Sequence, residues 1–235
     1  MNIRLYHPSS IVENSTGLLS KEHTHYIVNV MRLKRGSNIN FFNQDGEWNS
    51  EIVFLDKDRV EVKFLKKVKQ AGILSKIELA ICLVKKNPME IILQKATELG
   101  VSKIIPIISE RTEIKDLNYS RANKIIIEAT EQSNQLNIPK LEEVKKLKDF
   151  ISSLTDEDIV LFADINSNKK IDFKNLDKKK NIILLVGPEG DFSSKELELI
   201  LSKKNTSSFS LSKNILRTET AVISSLSIIN YLLIL

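Results

Sequence analysis

Beyond residue 72 this 235-residue chain repeats one pattern: a short, wholly apolar run, a stretch with helical spacing, then another apolar run. A strand apolar on both faces must be covered on both faces. Strands separated by helices are joined by crossovers, so the pattern requires an α/β fold with a parallel sheet between helices. The spacing predicts strands over Ile77–Val84, Ile104–Ile108, Ile159–Ala163, Ile182–Val186 and Ser207–Leu211. It predicts helices over Pro88–Leu99, Ala122–Gln132, Val144–Leu154, Ser194–Lys203 and Thr220–Leu233. Pro88 in a first turn and Gly100 just past an end fit the usual helix asymmetry. Ser193 with Glu196 forms a capping-box pattern, and Thr218 or Thr220 can cap the last helix.

The first 72 residues read differently. Strand-like stretches Ile3–Tyr6, Asn38–Phe42, Trp48–Leu55 and Arg59–Leu65 are punctuated by Asp45-Gly46, a hairpin signal, and by one helical segment, Glu22–Arg32. Short strands with one helix suggest a small β-barrel-like domain. With Gln70-Ala71-Gly72 as the joint, the chain divides into residues 1–72 and 73–235.

Composition narrows the function. Cys82 is the only cysteine, which excludes an internal disulfide, and its apolar surroundings mark a core thiol. The three histidines fall within the first 25 residues, and no cluster has metal-ligand spacing, so no metal is expected. Residues 221–235 are apolar but broken by serines and Asn230, and are too short for the roughly 20 residues of a membrane span. They read as a helix buried in a core or a subunit interface. With no secretory start, the expectation is a cytoplasmic protein without a membrane partner. Net charge is +5, a weak pointer to nucleic acid. Only seven of the 35 basic residues are arginine, so an arginine here marks a place that uses a planar, bidentate donor.

In such sheets ligands sit in the loops beyond the carboxyl ends of the strands, here the loops after Ala163, Val186 and Leu211. The loop Gly187-Pro188-Glu189-Gly190-Asp191-Phe192 lacks the Gly-Lys-Ser/Thr ending of a P-loop and the GxGxxG fingerprint. Its acidic residue suits a cationic or hydroxyl-bearing ligand better than a phosphate; a bare strand-to-helix turn is the alternative. Leu216-Arg217-Thr218-Glu219-Thr220-Ala221 is either a ligand loop or a capped helix start with a surface arginine.

In order along the chain stand KATELGV (95–101), SERT (109–112), EATEQS (128–133), LLVGPEGDFS (184–193) and ILRTETA (215–221), preceded by HTHYIVNVMRLKRGS (23–37). Together they resemble the bacterial 16S ribosomal RNA uracil-N3 methyltransferase family of the SPOUT superfamily. The resemblance covers nearly the whole chain.

It implies an N-terminal PUA-like RNA-binding barrel and a C-terminal SPOUT methyltransferase domain with a trefoil knot. It further implies a homodimer, S-adenosylmethionine as cofactor, and 16S rRNA or the small ribosomal subunit as substrate. Carried onto this chain, the cofactor loops comprise Phe162 and Ala163; Leu185, Val186, Gly187, Pro188, Glu189 and Gly190; and Leu211, Ser212, Ile215, Leu216 and Thr218. Arg217 is the candidate to stabilise charge on the acceptor ring, and Glu219 the candidate proton acceptor or orienting group. Arg4, Arg32, Arg111 and Arg121 are candidate RNA-binding residues. This chain departs from the family pattern at Asp191 and Ser212, usually Gly, and at Gln135, usually Arg. Two other readings share these motifs: a non-catalytic RNA-binding assembly protein, and an enzyme of similar fold acting on transfer RNA.

Overall fold

The structure, a computed structural model, describes residues 3–72, 74–168 and 180–234. The chain forms two compact units, Met1–Ile73 with Thr130–Ile138, and Leu74–Ala129 with Pro139–Leu235.

The N-terminal unit contains β1 (Arg4–Tyr6), β2 (Thr16–Leu18), α1 (Lys21–His25), β3 (Asn38–Asn43), β4 (Gly46–Leu55) and β5 (Val60–Gln70). Its five-stranded sheet runs β1-β3-β4-β5-β2, parallel only between β1 and β3. Among the described residues β1 and β2, the two ends of this path, form no ladder with each other. Alternation along the strands sends Ile39, Phe41, Trp48, Ile52, Val60 and Val62 into one core. The β3–β4 hairpin turns at Gly46, whose φ of 148° and close approach to the Lys69 carbonyl leave no room for a Cβ.

The predicted helix over Glu22–Arg32 is only partly α-helical. Ser20 caps its start by accepting the His23 N–H, but the α-turns stop at His25. A wider π-type turn, Tyr26–Val30, follows, and the chain leaves through Arg32 in the left-handed region at φ 51°. The β-branched residues Ile27, Val28 and Val30 are stiff in a tight α-turn, while Ile27 is wholly buried and anchors the segment.

Arg4, expected from sequence as an RNA-binding residue, has its guanidinium engaged within the protein. Its side chain is buried against Glu47 (Nε to Oε2, 3.1 Å), with its guanidinium carbon 4.0 Å from the centre of the Phe42 ring. Its remaining donors reach the carbonyls of Thr130, Glu131 and Gln135 at 3.3, 3.1 and 2.6 Å. These lie at the end of helix Tyr119–Gln132, where the last carbonyls have no intrahelical donor. The Glu131 carboxylate in turn accepts the Tyr6 N–H at 2.9 Å. Arg4 therefore ties residues 130–135 to the N-terminal sheet.

The second unit contains β6 (Ile77–Cys82), α2 (Lys86–Glu98), β7 (Lys103–Ile108), most of α3 (Tyr119–Gln132), β8 (Lys140–Leu141) and β9 (Lys145–Lys146). It continues with α4 (Leu147–Ser153), β10 (Asp158–Ala163), β11 (Asn181–Val186), α5 (Ser194–Leu201), β12 (Thr206–Phe209) and α6 (Thr218–Ile234). Every ladder is parallel, in the order β12-β10-β11-β6-β7-β8, with β9 also on β7. Strand β11 lies between β6 and β10, both of which precede it in the chain. Pro106, in the middle of β7, lies where the edge pairing breaks between β8 and β9, so its missing N–H costs no ladder bond there.

One face of the sheet (Ala80, Cys82, Ile105, Phe162, Leu185) packs with residues of α4 and α5, Phe150 and Ile200 among them. Burial pushes the Cys82 thiol up to about 12, so it stays protonated and inert. Helix α6 packs with α2 and β11. It buries Val222, Leu226 and Ile229 while Ile228 and Tyr231 remain exposed. Several predicted boundaries move, three of them with consequences for the edge strand and the loops. The helix expected from Val144 starts at Leu147, because Lys145–Lys146 pair with β7. The last strand ends at Phe209, which frees Leu211 for a loop. The last helix begins at Thr218, so Thr218 and Thr220 are its first and third residues rather than its cap. Among the described residues no helix is long and apolar enough to cross a membrane, and no three metal-ligating side chains cluster.

Candidate active site

The strands β12, β10 and β11 are neighbours, and their last residues, Phe209, Ala163 and Val186, border one cavity of about 430 Å³. This is within the usual range of small-molecule sites, about 300–1,000 Å³. Three loops and the start of α6 wall it.

The loop after β11 is fixed from several sides. A Cβ on Gly187 would stand 3.0 Å from the Phe192 ring, which itself packs edge-on against Phe162. A side chain there would press on the Phe192 ring and force it back by a few tenths of an ångström. Asp191 holds a left-handed φ of 60°; its N–H donates to the Pro188 carbonyl, and its side chain accepts the Phe192 N–H at 2.7 Å. The predicted capping box is present, and Glu196 also accepts the Glu110 N–H at 2.8 Å. Arg111 donates to the Gly190 carbonyl at 2.9 Å. The loop after β12 is held by its own polar contacts: Ser210 Oγ donates to the Ser212 carbonyl, and Ser212 Oγ accepts the Asn214 N–H. After β10, the Asp164 N–H donates to the Phe209 carbonyl.

The cavity's apolar lining includes Ala163, Val186, Leu211, Ile215 and Leu216. Its charged residues are Asp164, Glu189, Asp191 and Glu219 against Arg217, four carboxylates to one guanidinium. Such a site favours a cationic ligand and repels phosphate. Arg217 is exposed, and its guanidinium makes no hydrogen bond or ion pair among the described residues. Its backbone carbonyl accepts the Ala221 N–H and so opens α6.

The cavity brings together Ala163, Val186, Gly187, Pro188 and Glu189 with Leu211, Ser212, Ile215 and Leu216, and with Arg217, Thr218 and Glu219. Three candidates are placed otherwise. Phe162 and Leu185 are strand residues wholly buried in the core behind the site. Gly190 stands outside the lining and serves Arg111 through its carbonyl. Pro88, Phe209, Ser210 and Asn214 also line the cavity. Pro88 could not be read from sequence, because it arrives only through β6 lying beside β11.

The arginines proposed for RNA occupy different settings. Arg32 and Arg111 are exposed, the latter spending one donor on Gly190. Arg121 is exposed and holds Glu90 in a two-pronged pair at 3.2 and 3.1 Å. That hydrogen bond keeps the Glu90 carboxyl below its usual range. Arg4, as described, is sequestered.

Known proteins share this arrangement. A family of RNA methyltransferase domains matches residues 69–230, and a PUA domain of RNA methyltransferases matches residues 19–65. The chain is 34% identical to the ribosomal RNA small subunit methyltransferase E of Rickettsia conorii, covering 95% of this chain and 93% of the relative. It is 31% identical to the Bacillus subtilis protein of the same name, over 94% and 92%. A crystal structure of the Neisseria gonorrhoeae enzyme of that name, bound to S-adenosyl methionine, superposes with a TM-score of 0.88 at 26% identity, covering 99% of this chain and 98% of that one. With the PUA sheet, the parallel methyltransferase sheet and near full-length identity in agreement, this chain belongs to the ribosomal RNA small subunit methyltransferase E family.

Proposed function

We propose that this protein transfers a methyl group from S-adenosylmethionine to N3 of one uridine in the 16S RNA of the small ribosomal subunit. The observation that carries the reading is the cavity at the ends of β10, β11 and β12, whose lining combines apolar side chains, four carboxylates and one guanidinium without a partner among the described residues. S-adenosylmethionine has a flat, largely apolar adenine at one end and a sulfonium and an ammonium at the other. It is the chemistry such a cavity selects, and the family relatives support the same ligand.

In this reading residues 1–72 form the RNA-binding domain and residues 73–235 the methyltransferase domain. Backbone groups near Leu211 and Leu216 hold the adenine between apolar side chains, with Ser212, Ile215 and Thr218 beside it. Glu189 faces the ribose or the cationic portion, and Asp164 and Asp191 add to the negative field. When bound, the cofactor supplies an electrophilic methyl group. Uracil N3 lies on the pairing edge and carries a proton, so the target base must be unpaired and must lose that proton as it reacts. Arg217 donates to a ring oxygen as negative charge builds there, stabilising the transition state electrostatically. Glu219, one residue on and also at the cavity, takes the proton or orients Arg217. Arg32, Arg111 and Arg121 contact RNA phosphates.

A trefoil knot and a homodimer belong to the same reading. The late insertion of β11 between β6 and β10 supports the first, and the exposed Ile228 and Tyr231 on α6 support the second. Calorimetric titration of S-adenosylmethionine is expected to give one site per chain in a protein that sediments as a dimer. Absence of binding heat and of competition with a fluorescent analogue would contradict the proposal.

A further inference from the structure

The N-terminal unit holds a second cavity of about 510 Å³, lined entirely by its own residues. Its floor is the satisfied chain Arg4–Glu47–Asn40: Glu47 Oε1 accepts from the Asn40 side chain at 2.7 Å, and Oε2 accepts from Arg4. The floor is thus rigid and electrically closed. The walls are not. Tyr26 packs on the core and lines the cavity, and its hydroxyl has no partner among the described residues. Gln132, exposed on the last turn of α3, also lines it, its amide unpaired among the described residues. At the rim Met31 and Val68 are exposed apolar side chains, with Val30 exposed next to Met31. Exposed cations follow each in sequence, Arg32, Lys34 and Arg35 after Met31, and Lys69 after Val68.

Apolar and aromatic surface for a ring, an amide for an edge and flanking cations for phosphates are the components of a site for an unpaired nucleotide. Two features exclude the bland reading of a water-filled crevice. Large apolar side chains stand exposed together at one cavity, and two polar side chains without partners among the described residues, Tyr26 and Gln132, line the same space.

We propose that this cavity binds one unpaired nucleotide of the RNA substrate, separate from the methylated one. Its base lies against Tyr26 and Met31, and its edge is read by Gln132. The proposal rests on RNA being the substrate but not on the methyl transfer.

The test uses full-length protein and four fluorescent single-stranded RNA decamers of U, A, C or G, with binding followed by anisotropy. Wild-type protein is expected to prefer one base by at least about fivefold. Met31→Ala and Gln132→Ala, both at exposed positions, are expected to weaken that complex by about tenfold and flatten the preference. Tyr26→Phe removes only the hydroxyl and is expected to have a smaller effect in the same direction. S-adenosylmethionine titration at the other cavity stays unchanged in all three. Equal affinities for the four decamers, or variants that bind as wild type does, would overturn the proposal. Failure of methylation with the base preference intact would strike the proposed reaction and leave this cavity's assignment standing.

Discussion

Arg217→Ala is expected to methylate small-subunit RNA at least about tenfold more slowly than wild type, a loss of roughly 1.4 kcal/mol or more in transition-state stabilisation. Its affinity for S-adenosylmethionine is expected to stay nearly intact. The reason is the setting of the side chain. Arg217 lines the cavity, is exposed, and holds up no other residue among those described, so its removal leaves no structural debt. What disappears is a donor aimed at charge that exists only as the reaction proceeds. Arg217→Lys keeps the charge but loses the planar fork, and is expected to recover only part of the rate. Single-turnover rates with saturating cofactor, alongside calorimetry on the same preparations, check both halves. An unchanged rate would remove Arg217 from the mechanism. A parallel loss of cofactor affinity would reassign it to binding.

The largest effect on stability is expected far from the chemistry, at Arg4. Arg4→Leu strands the buried Glu47 carboxylate and removes the side-chain donor from three carbonyls at the end of α3. Breaking a buried pair from one side costs about 3–5 kcal/mol, because the abandoned charge cannot reach water. The single tryptophan, Trp48, is buried in the core of the same unit, so its fluorescence during denaturant unfolding reports this loss locally. Replacing both partners, Arg4→Leu with Glu47→Leu, is expected to restore most of the Glu47 penalty but not the helix-end contacts. An Arg4→Leu midpoint equal to wild type would show that the network contributes nothing net.

Arg4 also marks where sequence reasoning stops. The scarcity of arginine in this chain correctly singled it out as needing a planar, multidentate donor. Its acceptors, however, lie some 130 residues away, and nothing local distinguishes a phosphate from a helix end. The parallel sheet was legible for the opposite reason. Runs such as Ile182–Val186 are apolar on both faces, and that alone forces burial between layers. The cavity loops followed, because ligand sites sit at strand ends in any such sheet. Which faces strand residues present was less legible. Leu185 and Phe162 sit one residue before the loops yet point into the core, as alternation requires, while Val186 and Ala163 reach the cavity. Strand order could not be read at all, so Pro88, brought in by the neighbour of β11, was missed. The break in helix Glu22–Arg32 was missed because its apolar spacing is helical, and the stiffness of Ile27, Val28 and Val30 was given no weight.

The account stands on a methyl group reaching a ring nitrogen at the acidic cavity. Mass spectrometry of nucleosides from small ribosomal subunits incubated with this protein and isotopically labelled S-adenosylmethionine tests that directly. A single labelled nucleoside is expected, uridine methylated at N3, with its initial rate of appearance reduced at least about tenfold when Arg217→Ala replaces the wild type. Label on a ring carbon, on a ribose hydroxyl or on no nucleoside at all would contradict it.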